Sequence, residues 1–77
     1  MKQSEQLERA TELIRFELIP SPGNIELRSF MLELGRAEHI SPSVMKLAAE
    51  KMGIIFERHI NPDTQHARTY WRLPNVG

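Results

Sequence analysis

The chain contains no cysteine among its 77 residues. A disulfide framework and a zinc site built on thiolates are therefore excluded, and nothing indicates an oxidising compartment. No apolar run approaches the roughly 20 residues that a membrane-spanning helix needs. The N-terminal residues lack the apolar segment of a signal peptide. We therefore expect a cytoplasmic protein with no membrane partner.

Catalytic and metal-binding motifs are also missing from the sequence. It has no Cys nucleophile, no Gly-rich phosphate loop and no paired acid–base arrangement, so we expect neither an enzyme nor a cofactor. Two histidines and an aspartate gather around one predicted turn, but their spacing matches no common zinc pattern. We expect no metal at that turn, which holds His59, Asp63 and His66. His39 is expected to be a turn residue.

The charges balance, with ten Lys and Arg against ten Asp and Glu. A neutral total argues against DNA binding, for which a basic face is usual. The distribution is uneven, however. Residues 1–40 hold five basic and seven acidic side chains, a balance of −2, whereas residues 41–77 hold five basic and three acidic, a balance of +2. The basic excess lies in the second half of the chain.

Two helices are predicted in the first half. The first covers residues 3–18, because its apolar residues recur at three- and four-residue spacings, which is typical of an amphipathic helix. The second is predicted for about residues 25–38, with Asn24 as its cap. Gly35 is a plausible stop. The alternative is that the glycine is tolerated and the helix continues to about Glu38, which leaves Ala37 and Ile40 facing inward.

The second half predicts a helix followed directly by a β-hairpin. Ser41 caps and Pro42 opens a helix of about residues 42–52, which ends at Gly53. Strands are predicted at 54–60 and 68–73, since the first is rich in β-branched and aromatic residues. The turn between them begins at Asn61. The predicted fold class is mostly α with a small β-hairpin: one three-helix winged helix-turn-helix domain over residues 1–77.

One pattern in this half carries a family resemblance. Met45, Ala48 and Met52 precede Gly53, a β-branched Ile54 follows, and the second strand ends as Trp-Arg-Leu-Pro at residues 71–74. This pattern resembles the C-terminal winged helices of phage and plasmid replication proteins of the primase and helicase type. The resemblance implies a DNA-binding module that serves replication or transcription regulation of a mobile element. It also implies that double-stranded DNA is the partner.

The candidate DNA contacts follow from these elements. The third helix is expected to bury Met45, Ala48, Ala49 and Met52, and to present its other face to bases and phosphates. Glu50 should lie away from the DNA backbone. Arg58 and Arg68 are expected to form a phosphate clamp along the wing, which is the predicted hairpin. Trp71 is expected to pack in the core with Phe56 or Ile54. The predicted DNA-binding residues are Ser41, Ser43, Lys46, Leu47, Lys51, Arg58, His59, Gln65, His66, Arg68 and Arg72.

The competing hypothesis is a winged helix that serves protein–protein assembly without direct DNA binding. The neutral total charge favours it, and so does the amphipathic first helix, which offers a face to a second copy of the chain or to a larger replication protein. A continuous basic strip would support DNA binding. An exposed apolar strip on the first helix would support assembly.

Overall fold

The chain folds into three helices and a three-stranded antiparallel sheet, in a computed structural model that describes residues 3–74. The predicted winged-helix class is confirmed. The helices are α1 (Gln3–Leu18), α2 (Arg28–Ala37) and α3 (Pro42–Lys51). The strands are β1 (Ile25–Leu27), β2 (Ile55–Ile60) and β3 (Ala67–Arg72), and they lie in the order β1-β3-β2.

Strand β1 stands where the sequence predicted the start of the second helix. Asn24 does not cap α2. It adopts a left-handed φ of 54°, and its side-chain amide donates 2.9 Å hydrogen bonds to the carbonyls of Leu18 and Ile19 at the end of α1. The chain therefore leaves Asn24 in an extended direction and pairs with β3, with Glu26 opposite Trp71. Helix α2 begins only at Arg28.

The core lies between the helices and one face of the sheet. Its largest fully buried side chains are Trp71, Ile14, Leu18, Met31, Ile40 and Met45. The core position predicted for Trp71 is confirmed. The position predicted for Phe56 is wrong: its side chain is 49% exposed and meets the Trp71 ring edge-on, with the ring centroids 6.0 Å apart. Phe56 sits at an outer strand of a narrow sheet, which no helix covers completely.

Gly35 does not end α2, and its role is to let two helices approach. The helix runs on to Ala37, as in the alternative prediction. Gly35 is buried, and a Cβ at this position would lie 2.6 Å from Cγ and 2.9 Å from Sδ of Met45 in α3. Real Cβ atoms essentially never come so close to another heavy atom. The absence of a side chain at Gly35 is therefore what allows the fully buried Met45 to lie against α2.

Helices α2 and α3 end in the same hydrogen-bonded motif. After α2, the amide of His39 donates to Arg36 and that of Ile40 to Gly35; after α3, the amide of Gly53 donates to Glu50 and that of Ile54 to Ala49. Both are Schellman motifs, whose first residue past the cap adopts a left-handed conformation. Glycine fills this position after α3, with φ of 75°, but a histidine fills it after α2, with φ of 60°.

We predict that Gly35→Ala destabilises the protein by about 1 kcal/mol. Alanine favours a helix over glycine by about 1 kcal/mol, but overpacking a full core costs about 1–3 kcal/mol, so the clash with Met45 dominates. The same substitution in a Met45→Ala background should be neutral or stabilising, because the clashing atoms are gone. Urea unfolding of the four proteins measures this coupling. A more stable Gly35→Ala protein would contradict the packing role.

The two helix ends give a second prediction, with opposite signs at equivalent positions. His39→Gly should stabilise the protein by about 0.5–1 kcal/mol, because glycine adopts the left-handed conformation without the Cβ penalty. Gly53→Ala should destabilise it by about 1 kcal/mol for the same reason. No atom lies within 4 Å of a Cβ built at Gly53, so a steric clash does not contribute. Thermal unfolding of both variants measures the two changes in stability. If both variants were stabilised or both destabilised, the prediction would be refuted.

Candidate nucleic-acid interface

The start of α3 is held as the sequence predicts. The hydroxyl of Ser41 accepts a hydrogen bond from the amide of Val44, at 3.4 Å, and Pro42 occupies the first turn. One side of the helix is buried through Val44, Met45, Ala48 and Ala49. On the other side Ser43, Lys46, Glu50 and Lys51 are exposed, and Leu47 is half-buried. The predicted outward face of α3 is therefore available to a partner.

A groove separates this face of α3 from the hairpin. Two positions of α3, Lys46 and Glu50, line one wall, and Arg28 at the start of α2 lines the end of the groove. The sheet contributes the remaining lining residues, Phe56, Thr69 and Trp71. The groove thus joins the N-terminus of one helix, the outward face of another and the inner face of the wing.

The register of the hairpin places the two arginines of the predicted phosphate clamp on opposite faces of the hairpin. Arg58 lies opposite Thr69, and His59 lies opposite Arg68. Side chains alternate along a strand, so Arg58 shares a face with Phe56 and Trp71, on the groove side. Arg68 is directed to the other face of the strand. Both arginines lie along the wing, as expected, but on opposite faces of it.

The other face of the hairpin carries a network of polar contacts centred on Glu57. Its carboxylate accepts hydrogen bonds from the Arg72 guanidinium at 2.9 and 3.0 Å and lies 3.1 Å from Nε2 of His59. The His59 ring in turn lies against Tyr70, with centroids 4.7 Å apart. His59 and Arg72, both predicted DNA contacts, are engaged with their own chain on the side away from α3.

The tip of the hairpin is held by its own side chains. The Asn61 carboxamide oxygen accepts a bond from the amide of Asp63, and the Thr64 hydroxyl accepts one from the amide of His66. Gln65 adopts a left-handed φ of 59°. Gln65 and His66 are exposed there and lie apart from the groove-lining residues. Between residues 3 and 74, no three His, Asp or Glu side chains are placed to hold a metal ion.

Sequence reasoning missed Arg28 as a functional candidate. The second helix was predicted to begin at about residue 25, whereas strand β1 moves the start of α2 to Arg28. Arg28 also lines an adjoining cleft with Ser29, Thr69 and Arg68. No hydrogen bond or ion pair involves the side chains of Arg28, Lys46 or Arg58 within the part of the chain that the structure describes. All three cations are free to contact an anionic partner.

Glu50 also lines the groove, one helical turn beyond Lys46. Glu26 also lies on this face of the sheet, and its carboxylate accepts a bond from the amide of Leu27. The groove is therefore lined by two cations, Arg28 and Lys46, and by the carboxylate of Glu50.

Two further findings concern the chain as a whole. In residues 3–74, no helix is long and apolar enough to cross a membrane. Comparison with protein-family models, curated proteins and solved structures finds no match to this chain.

Proposed function

We propose that this chain is a DNA-binding module that places α3 in the major groove of duplex DNA and uses the wing to contact the phosphate backbone. The observation that carries the proposal is the arrangement of Arg28, Lys46 and Arg58. These unpaired cations come from three different elements: Arg28 and Lys46 line one groove, and Arg58 lies on the face of the sheet that carries the groove residues Phe56 and Thr69. Half or more of the hydrogen bonds in protein–DNA complexes go to phosphate and sugar, and three separated cations suit a backbone that carries a charge at every step.

The residues of α3 have distinct roles in this proposal. Ser43 lies on its N-terminal half, where a short polar side chain reaches base edges, whereas Lys46 contacts phosphate. Glu50 would be repelled by phosphates but can accept a hydrogen bond from the N4 amino group of cytosine. It therefore fits a place over base edges, between the cations. A carboxylate in the groove lowers the affinity for DNA of any sequence and raises the discrimination between sequences.

The wider role follows from the family resemblance of residues 45–54 and 71–74. We infer replication or transcription regulation of a mobile element, in the cytoplasm, with no catalytic step performed by this domain. The burial of Met45, Ala48, Ile54 and Trp71 is compatible with that pattern.

We predict that affinity for random duplex DNA falls with salt at a slope of about −2.7 in log affinity against log salt, from three phosphate contacts at about 0.9 each. Arg58→Gln should weaken binding to every sequence and flatten the slope by about 0.9. Arg15→Gln is the matched control, because Arg15 is an exposed cation of α1 that does not line the groove. Fluorescence anisotropy at several salt concentrations measures both slopes.

A third variant locates the DNA backbone on the wing. Arg68→Gln should cost less affinity than Arg58→Gln, because Arg68 is directed to the other face of β3. Equal losses would instead place the backbone along the edge of the wing, between its two faces. Absence of binding to any duplex at low salt, with the far-ultraviolet circular dichroism unchanged, would refute the DNA-binding proposal.

One observation favours protein–protein assembly as a second candidate. At the C-terminal end of α1, Phe16 is 76% exposed and Ile19 is 59% exposed. Phe16 also lines a groove with the apolar Leu13 and Ile40 and the charged Arg9, Glu12 and Glu38. A domain that docks through this end of α1 would lose its partner on Phe16→Ser and keep its DNA affinity. The reverse pattern, lost DNA affinity with Phe16→Ser, would show that this residue supports the fold instead.

A further inference from the structure

Strand β2 is an open edge of the sheet. The strand order β1-β3-β2 leaves one side of β2 without a neighbouring strand among residues 3–74. Five of its six residues are exposed. An edge strand with free amides and carbonyls is a template for pairing with another strand.

The register identifies which backbone groups face this edge. The amide of Asn61 donates to the carbonyl of His66, and hydrogen-bonded pairs alternate along an antiparallel ladder. Ile55, Glu57 and His59 therefore direct their amides and carbonyls to β3. Those of Phe56, Arg58 and Ile60 point outward, over a length of five residues.

The side chains of β2 are arranged symmetrically about Arg58. An exposed apolar residue lies two positions away on each side, Phe56 at 49% and Ile60 at 62% exposure. The adjacent positions hold the Glu57 carboxylate and the His59 imidazole, which already lie 3.1 Å apart within one chain. An antiparallel copy centred on Arg58 would therefore place Phe56 opposite Ile60 and Glu57 opposite His59 of the second chain, twice each.

Other symmetric registers match less well. If Glu57 were the central residue, the two Glu57 carboxylates would lie opposite each other, and Phe56 would lie opposite Arg58. If His59 were the central residue, Arg58 would lie opposite Ile60. Only the centre at Arg58 pairs apolar with apolar and acid with base, and its single unfavourable contact is Arg58 opposite Arg58. Like charges directly opposite each other in a sheet are destabilising.

We propose that β2 is a self-association edge, that its occupant is a second copy of this chain in the register centred on Arg58, and that the two arginines oppose pairing until an anion neutralises them. Two copies would then form one continuous sheet of six strands. Since Arg58 is also a phosphate contact in the proposed function, a phosphate-bearing partner would favour the dimer. The dimer itself requires no DNA and is tested without it.

The first experiment removes the repulsion. Sedimentation equilibrium of the full chain at low salt should give a dimerisation constant about fivefold stronger for Arg58→Thr than for the original protein, a change equivalent to about 1 kcal/mol in a cross-strand pair. Arg58→Lys, which keeps the charge, should not strengthen association. Sodium sulfate should strengthen self-association of the original chain, the opposite of its effect on DNA binding. An Arg58→Thr protein that stays monomeric at every concentration overturns the proposal.

The second experiment reads the register. The chain has no cysteine, so Arg58→Cys introduces one thiol. Paired Cα atoms lie about 5.5 Å apart in a hydrogen-bonded antiparallel pair, within the roughly 4.4–6.8 Å range of a disulfide. Ile60→Cys would place its two thiols roughly 14 Å apart, four residues out of register. Oxidation should cross-link the first variant and not the second, and the reverse result overturns this register.

A last comparison separates the strand edge from α1. In the Arg58→Thr background, Ile60→Lys should abolish dimerisation, because it sets a cation opposite Phe56. Phe16→Lys introduces the same charge at another exposed apolar position and should leave the dimer intact. If Phe16→Lys abolished the dimer and Ile60→Lys did not, association would occur through α1, and the proposal for β2 would be overturned. These results stand apart from the DNA-binding proposal, since none of the measurements includes DNA.

Discussion

The close contact between Gly35 and Met45 sets the relation between α2 and α3, and the groove depends on that relation. Met45 fills the space that a side chain at position 35 would need. Lys46 follows Met45 directly, so the burial of one side chain fixes the direction of the next. Strand β3 packs on α2, and its Trp71 lines the groove together with Lys46. A larger residue at position 35 would move α3 as a unit, and with it one wall of the groove.

The two Schellman motifs attach the chain on both sides of α3 to the core. Each places a buried isoleucine two residues past a helix cap, Ile40 after α2 and Ile54 after α3. These isoleucines anchor the turns to the core, so the short connections on both sides of α3 are rigid. The first of them uses His39 where glycine would cost less, so the direction of this turn is imposed by the packing of Ile40 rather than by local preference.

Much of the fold follows from local signals in the sequence, and the failures have physical causes. The range of α1, the cap at Ser41 and the hairpin all rest on periodicity or turn chemistry within a few residues. Strand β1 is only three residues long, and its pairing with β3 is a long-range contact that no local pattern marks. Gly35 gives the same signal as a helix stop, and only the neighbouring Met45 distinguishes the two. Arg28 became a candidate only once β1 had moved the start of α2.

One residue belongs both to the core and to the lining of the groove. The single tryptophan of the chain, Trp71, is fully buried and also lines the groove, where its ring meets the half-exposed Phe56. Its indole fluorescence is therefore an intrinsic optical probe of two events. Loss of the core exposes the ring to water and shifts its emission to longer wavelength, whereas a partner in the groove changes the surroundings of an intact core. The unmodified chain can report its own folding and its own occupancy.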